Sequence, residues 1–562
     1  MKILGISCFY HDSAVTVIED GKIAFAIQEE RLSRLKHDSR FPIMAITKAL
    51  EICRSSINDF DEIVFYENPH LKLKRIFGQV VAGWPRSWRL FSEHLPYFYH
   101  FKYPIEKIIR NKLGYKGRIS FCEHHRSHAA SAFYTSPFER ALVLTIDGVG
   151  EYDTTAVHIG EGNTLRKVAS IHFPDSLGLL YSVFTHYLGF EVNEGEYKVM
   201  GLASYGEPLY VDRILDRVIF LRDDGSFYLN QRYFDFSNPD RHYRACLVDL
   251  VGVQPRGPKD PMLREHKDLA ASIQKVLEMA LINMIRSLRS RYPYDNLCMA
   301  GGIALNCTAN AEIIRKLGMN VHIHPAAGDA GGALGAAVNS AIQCAPHNPY
   351  RFEFSPYLGI DYPSEVIKAT LEINNIPYRR VNNVSREIAR RLAEGNVVAI
   401  FHGRDEWGPR ALGNRSILAD PRKAYMKDHL NAKIKFREEF RPFAPVVMQE
   451  HYGTYFETLS MEHSPYMLFT HKAKIPDRIP AVVHVDGTSR VQTVTHDQNP
   501  YLYEILGDFF KITGTPVLMN TSFNLKGEPI VSSPSDALKT FLASGIDCLA
   551  LEDFLVEKDE IA

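Results

Sequence analysis

Cysteine is scarce and scattered in this chain. Its eight cysteines among 562 residues (Cys8, Cys53, Cys122, Cys246, Cys298, Cys307, Cys344 and Cys548) form no CxxC pair. They read as reduced, mostly buried thiols of a cytoplasmic protein rather than as a disulfide framework. Neither sign of charge is in surplus: 65 lysines and arginines face 66 aspartates and glutamates, for a formal net charge of −1. That balance gives no reason to expect nucleic acid or a membrane as a partner. No apolar run approaches the ~20 residues of a membrane span. The opening MKILGISCFYHDSAVTVIEDG is too short and too interrupted to read as a signal peptide. The Walker spacing GxxxxGK[ST] is absent, which excludes a P-loop. No solenoid period and no low-complexity tract occurs. With 45% hydrophobic and 23% charged residues, the composition is that of a globular protein. At ~100–200 residues per domain, the length calls for several packing units.

Local patterns organise that length. KILGISCF, AVTVIED and IAFAIQEER are apolar runs separated by the polar turn YHDS and the tight turn DGK, which predicts a β-meander. The pattern returns from Ala141 as ALVLTID, TTAVHIG and LRKVASIHF, with the glycine-rich GVGEYD in the place of the first turn. Strand, polar loop and strand, twice in one chain, suit a duplicated nucleotide-binding fold whose two hairpins face each other across a cleft. RFPIMAITKALEICRSS and DLAASIQKVLEMALINMIRSLRSRYP have helical spacing. The aromatic and basic stretch Pro69–Tyr115 reads as a helical insertion: a lid, an acceptor-binding element, an oligomer contact or an ordinary packed insertion. CAPHNPYRFEFSPYLG breaks all periodicity and marks a domain boundary, after which helix–strand units begin a second α/β domain.

The chemistry-bearing residues cluster in loops. His124 and His128 in CEHHRSHAASAFY lie one helical turn apart and so share a face, while His125 points elsewhere. By spacing alone this is either half of a metal site or a polar helix. Asp147 ends an apolar strand before Gly148, and Asp329 sits among glycines, Gly331 included, where a helix begins. Gly301, Gly302 and Asn306 in MAGGIALNC form another strand-to-helix turn. Two imidazoles with two carboxylates suit Fe(II), Zn(II) or Mn(II). Beyond the boundary, Arg404, Arg410, Arg415, Arg422, Arg437, Arg441 and Arg490 stand in loops rich in Gly, Pro and Asn, near Asn520, Ser522 and Asn524. Guanidinium forks in such loops suit a small phosphate-bearing substrate. For any one of them, an ion pair with Glu406, Glu438, Glu439 or Asp486 is the competing reading.

Taken in order, YHDSA, EERLSRLKHD, HHRSHAASAF, TIDGVGEYDTT, GEYKVMGLASYG, AGGIALNC, GDAGGALGAA, GPRALGNRSI, FREEFRPFAP, HVDGTSRVQTV and NTSFNLKGEPIV resemble the NodU/CmcH-type O-carbamoyltransferases over nearly the whole chain. The resemblance implies an α/β protein with an N-terminal duplicated actin/Hsp70-like (ASKHA) domain over residues 1–345, a linker over 346–362 and a C-terminal YrdC-like domain over 363–562. It implies that carbamoyl phosphate is hydrolysed to carbamate in the C-terminal domain. Carbamate is then adenylated with ATP in the N-terminal domain, and carbamoyl-AMP carbamoylates a hydroxylated small-molecule acceptor. His124, His128, Asp147 and Asp329 match the metal ligands, for Fe(II) first and Zn(II) or Mn(II) as alternatives, with Mg(II) accompanying ATP. His11 matches a transfer-site base, for which a near-neutral pKa suits, and Lys36 a stabiliser of carbamoyl charge. Gly148, Gly302, Asn306 and Gly331 match nucleotide contacts. Arg410, Arg441, Arg490, Asn520 and Ser522 match the carbamoyl phosphate pocket. Asp405 and Trp407 depart from the family pattern, and a carboxylate at 405 raises the expectation of repulsion toward an anion. The expected assembly is a monomer or homodimer. Competing readings are a tRNA threonylcarbamoyl transferase, a sugar kinase and a non-catalytic nucleotide-binding regulator. A hydrogenase-maturation carbamoyltransferase is disfavoured because it would carry CxxC zinc modules.

Overall fold

The structure is a computed structural model that describes all residues except 86, 237, 239–241, 346–351 and 562, and the side chains of 82 and 94. It divides into two compact units, Met1–Ala26 with Ser39–Phe354, and Ile27–Asp38 with Ser355–Ala562. The first six residues of the expected linker lie outside the described residues.

The first unit contains one strand arrangement twice. Strands β1 (Lys2–Ser7), β2 (Ala14–Glu19), β3 (Lys22–Gln28), β4 (Glu62–Phe65) and β5 (Arg118–Phe121) form a sheet of order β3-β2-β1-β4-β5. Strands β6 (Arg140–Ile146), β7 (Asp153–Glu161), β8 (Thr164–His172), β9 (Asn296–Ala300) and β10 (Asn320–Ile323) form a second, of order β8-β7-β6-β9-β10. In each sheet the first strand pairs antiparallel with the second and parallel with the fourth, which pairs parallel with the fifth. Apolar runs flanking polar turns dictate the meanders, and the parallel strands require the helical crossovers that the chain supplies. These include α1 (Ile43–Ile52), α2 (Pro69–Gly83) and α3 (Ile105–Leu113) in the first half, and the long α5 (Arg264–Arg291) and α6 (Cys307–Leu317) in the second.

Each fifth strand leads into a helix, α4 (His124–Phe133) after β5 and α7 (Asp329–Cys344) after β10. The run of small residues in α7 is a packing requirement. A Cβ at Gly335 would lie 1.7 Å from the Ser127 carbonyl oxygen of α4, and one at Gly5 of β1 would lie 2.0 Å from the Ala333 carbonyl oxygen of α7. This close approach brings the two helix N-termini toward one point.

The second unit is a mixed eight-stranded sheet. Its strands are β11 (Arg379–Arg380), β12 (Val398–Phe401), β13 (Arg415–Ala419), β14 (Ala444–Met448), β17 (Gln492–Val494), β18 (Val517–Ser522), β19 (Cys548–Leu551) and β20 (Phe554–Glu557). A separate two-stranded ladder joins β15 (Thr470–Lys472) to β16 (Thr488–Arg490). The order of the large sheet is β11-β20-β19-β12-β13-β18-β14-β17. Alternation divides each strand between two cores. Val398, Ile400, Leu418, Val446 and Leu518 pack under α9 (Val384–Glu394) and α10 (Pro500–Thr513). Ala399, Phe401, Ile417, Val447 and Met519 pack under α8 (Ser364–Ile373) and α11 (Pro534–Leu542). Both faces are covered, which is why these strands read as continuous apolar runs.

Candidate functional site

Four side chains of the first unit converge. His124 and His128 project from the first turns of α4, Asp147 follows β6 directly, and Asp329 opens α7. Nε2 of His124 lies 3.2 Å, and Nε2 of His128 lies 3.1 Å, from Asp147 Oδ2. His128 Nε2 is 3.5 Å from Asp329 Oδ1. One ligand atom from each of the four lies within 4.8 Å of the others. Asp147 is oriented locally, because its Oδ1 accepts the Gly148 N–H at 2.7 Å and leaves Oδ2 for the imidazoles. Asp329 is 1% exposed and its Oδ1 has no hydrogen-bond partner. A buried carboxylate oxygen without a donor is costly, and two imidazoles with two carboxylates are a donor set that fits a divalent first-row cation.

Electrostatics agree with that set. Burial opposes charge on Asp147, yet hydrogen bonds from His124 and His128 hold its carboxyl well below the usual range. Burial likewise disfavours a charged His128, but Asp147 and Asp329 raise it to about 9. His125 is set apart: Nδ1 meets Thr145 Oγ1 at 2.8 Å and Nε2 meets the Asp153 carbonyl at 2.9 Å. Burial and the two neighbouring histidines keep it well below its ordinary pKa, so it is neutral and structural.

His11 stands in the β1–β2 turn, the counterpart of the turn that carries Asp147. Its Nδ1 is 2.9 Å from Asp12 Oδ2, and its Nε2 is 4.0 Å from Asp329 Oδ2. Burial pulls its pKa down, but Asp329 and Asp12 together raise it to about 10. Lys36 lies in the segment Ile27–Asp38 and so belongs to the other unit. Gly302 abuts Asp147, since a Cβ there would be 3.3 Å from Oδ1. Gly331 packs on its own loop, 2.0 Å in the same sense from the Ala326 carbonyl. Asn306 is buried, caps α6 by accepting the Ala309 N–H at 3.0 Å, and exchanges amide hydrogen bonds with Gln274.

The sequence reading missed several neighbours. Glu151 accepts the backbone N–H groups of both Asn68 and His124. Tyr66 donates to Asp329 Oδ2 at 3.5 Å. Glu67, fully buried, holds Lys72 at 2.7 Å and Lys102 at 2.6 Å, two cations that the Pro69–Leu113 segment sends inward. Against its own burial, those two ammonium groups lower Glu67 to about 2. Of these only Glu151 carried a signal, standing in the glycine-rich turn GVGEYD.

In the second unit, register brings several of the residues expected to contact phosphate toward one end of the sheet. Ala444 of β14 faces Asn520 of β18, so Arg441, just before β14, runs past the end of β18 where Ser522 stands. Asn520 Nδ2 donates to Gln492 Oε1 at 2.7 Å and to the Ala411 carbonyl at 3.3 Å, which draws in the loop bearing Arg410. Arg490, in β16, lies two residues before Gln492. Lys435 was missed: its buried Nζ donates to the Ser522 carbonyl at 2.5 Å, Asn524 Oδ1 at 2.7 Å and the Asn524 carbonyl at 3.0 Å. Burial, Arg437 and Arg441 push its pKa well down. Three carbonyl acceptors nevertheless demand three N–H donors, and that geometry assigns the charged ammonium.

Other arginines of the motifs are structural. Arg415 is fully buried, donates to the carbonyls of His402, Asn414, Ile360 and Gly403, and stacks 3.6 Å from the Phe401 ring centre. Arg404 donates to Gly359 and Leu358, and Arg422 pairs with Asp420. Of the competing ion pairs, Arg441 meets Glu438 at 3.7 Å, while Glu406 accepts the N–H groups of Leu412, Asn414 and Arg415. Asp405 is 1% exposed and accepts from Ile360 N–H and the Ser532 hydroxyl. It faces the interior, which corrects the expectation of repulsion toward an anion.

Residues 2–338 match the family model for the carbamoyltransferase N-terminus, and residues 389–558 that for the carbamoyltransferase C-terminus. The chain is 42% identical to the Synechocystis protein sll1178, over 99% of this chain and 96% of that one. It is 37% identical to nodulation protein NolNO of Sinorhizobium fredii, over 98% and 79%, and 30% identical to nodulation protein U of the same species, over 96% of each. Among solved structures it is similar to HypF of T. kodakarensis (14% identity, 61% of this chain and 48% of that one, TM-score 0.34). It is also similar to component A of the Acidaminococcus fermentans (R)-2-hydroxyglutaryl-CoA dehydratase (14% identity, 60% and 96%, TM-score 0.33). Two family models in series across an α/β chain, and full-length likeness to nodulation proteins, lead to one assignment: the chain belongs to the NodU-type carbamoyltransferase family.

Proposed function

We propose that this carbamoyltransferase is an ATP-dependent O-carbamoyltransferase working through carbamoyl-adenylate. The first unit would be the actin/Hsp70-like adenylation and transfer domain, and the second the YrdC-like carbamoyl phosphate domain. The observation that carries the reading is the convergence of His124, His128, Asp147 and Asp329 in one unit, with Lys435 bonded to Ser522 close to Arg437 and Arg441 in the other.

In the second unit Arg410, Arg441 and Arg490 would take the phosphate of carbamoyl phosphate. Lys435 holds Ser522 and Asn524 in place for it. Asn520 Oδ1, buried and without a hydrogen-bond partner, is an acceptor for a carbamoyl N–H. Water cleaves the mixed anhydride to carbamate and inorganic phosphate. In the first unit a carbamate oxygen displaces pyrophosphate from the α-phosphorus of ATP. The acceptor hydroxyl then attacks the carbamoyl carbon, AMP leaves, and the hydroxyl proton goes to His11. His124, His128, Asp147 and Asp329 would hold a divalent cation, Fe(II) by the family resemblance, which supplies charge neutralisation for the phosphate oxygens. A cation held there would engage Asp329 and so relieve its effect on His11, leaving Asp12 as the partner of the ring.

Incubation of the protein with ATP and carbamoyl phosphate tests the route. AMP and pyrophosphate are expected. ADP in their place would discard the adenylate and favour a kinase.

A further inference from the structure

The near-neutral total of the chain hides a local asymmetry. Between Pro69 and Leu113 nine lysines and arginines face two glutamates, in a chain whose totals are 65 and 66. Both glutamates are consumed, Glu93 by Arg89 and Glu106 by Arg110. Lys72 and Lys102 are spent on Glu67, which anchors the segment to the protein body. Lys74, Lys107 and Lys112 are exposed and have no carboxylate partner among the described residues.

The same segment turns its aromatic side chains outward. Phe77, Trp84, Trp88, Tyr97, Tyr99 and Phe101 each stand between 51% and 57% exposed. Trp84 and Trp88 are 5.9 Å apart, and Phe91 lies 5.8 Å from Trp88, so the surface is continuous. Phe91 also lines an adjoining apolar cavity of about 810 Å³ with Leu73, Phe77, Leu95 and Tyr99, where Lys74 and His100 supply the polar edge. Contiguous apolar patches of this kind are uncommon on a free protein surface. Tryptophan and tyrosine favour the bilayer interface, and unpaired lysines favour an anionic leaflet. No helix among the described residues is long and apolar enough to cross a membrane, so attachment would lie in the surface plane. A second copy of this chain would bring like charge against like charge across a symmetric contact. A nucleic-acid strand needs a row of cations that tracks its backbone, whereas the exposed lysines without a carboxylate partner among the described residues of this segment are Lys74, Lys107 and Lys112.

We propose that the segment 69–113 docks the protein on an anionic lipid surface, with Trp84 and Trp88 in the interface. The test is co-sedimentation of the full chain with vesicles of phosphatidylcholine alone or mixed with phosphatidylglycerol, alongside tryptophan fluorescence. Trp407 is buried, so a blue shift reports on Trp84 and Trp88. Binding is expected only to the anionic vesicles. Trp84→Ala/Trp88→Ala should abolish the blue shift, and Lys74→Glu/Lys107→Glu should weaken binding roughly tenfold or more. All four positions are exposed, and unchanged far-UV circular dichroism checks that the variants fold. Absence of wild-type binding, equal binding to both vesicles, or binding unmoved by either double variant overturns the proposal. So does self-association, or retention of single-stranded RNA, that depends on the tryptophans in the absence of vesicle binding.

Discussion

Glu151 accepts the backbone N–H of His124 through both carboxylate oxygens, at 3.0 and 3.2 Å. It thereby caps α4 at the residue that begins the histidine pair, and it ties the Asn68 N–H to the same point at 2.6 Å. Among the described residues neither His124 Nδ1 nor His128 Nδ1 finds a hydrogen-bond partner, such as the outer carboxylate that often orients a metal-bound imidazole. Orientation falls instead to the helix, and Glu151 fixes where the helix starts. Glu151→Ala should weaken divalent cation affinity about ten- to a hundredfold with helix content retained. Chelator competition on folded protein measures it, and unchanged affinity would remove Glu151 from this role.

Lys435 answers a different need. Three carbonyl oxygens from Ser522 and Asn524 converge on one ammonium, and Arg441 lies close enough to act on it electrostatically. Lys435→Met keeps the stem and removes the donors, so the Ser522–Asn524 loop loses its tether. The expected outcome is a large rise in KM for carbamoyl phosphate with transfer from supplied carbamoyl-adenylate preserved. Equal loss of both activities would contradict separate sites for the two half-reactions.

For Asp405 the expectation is a null effect on substrate and a real one on stability. Its oxygens are occupied by Ile360 N–H and Ser532, and Gly359 packs against it. Asp405→Ala leaves a buried N–H and a hydroxyl without an acceptor, at about 1–3 kcal/mol each. Thermal unfolding should shift down while KM for carbamoyl phosphate holds within about twofold of the original. A several-fold drop in KM would return the carboxylate to the pocket.

Asp405 also illustrates what one sequence reveals. The meanders were legible because alternation and polar turns are local; Asp147 stood out because charge at the end of an apolar run must emerge somewhere, and Asp329 because glycines crowd the start of its helix. In GPRALGNRSI, by contrast, Arg410 and Arg415 look alike. Only strand register decides that Arg415 is buried over Phe401, while Arg410 lies in the loop beside Asn520. The place of Asn306 just before a helix also marks it as a cap, a local rule that the structure bears out. The membership of Ile27–Asp38 in the second unit was not legible, because β3 runs across the change without a break in its pattern.

His324 supplies the pH dependence. It is fully buried at the end of β10, its Nδ1 accepts the Ala326 N–H at 3.1 Å, and its ring lies 4.5 Å from Phe354. An Nδ1 that accepts requires the neutral ring with the proton on Nε2. Burial and then His322 push its pKa down to about 3. The unfolded chain therefore binds a proton near pH 6.5 that the folded chain refuses until about pH 3. Stability from this residue is complete above pH 6.5 and declines as pH falls from there toward 3, by up to about 1.4 kcal/mol per pH unit. His158, held at about 3 by burial and then by Arg126, acts in the same direction. His324→Phe should flatten the fall in the unfolding midpoint between pH 6.5 and 4, with little change at pH 8. A variant whose midpoint tracked the original through that window would show that His324 keeps no depressed pKa in the fold.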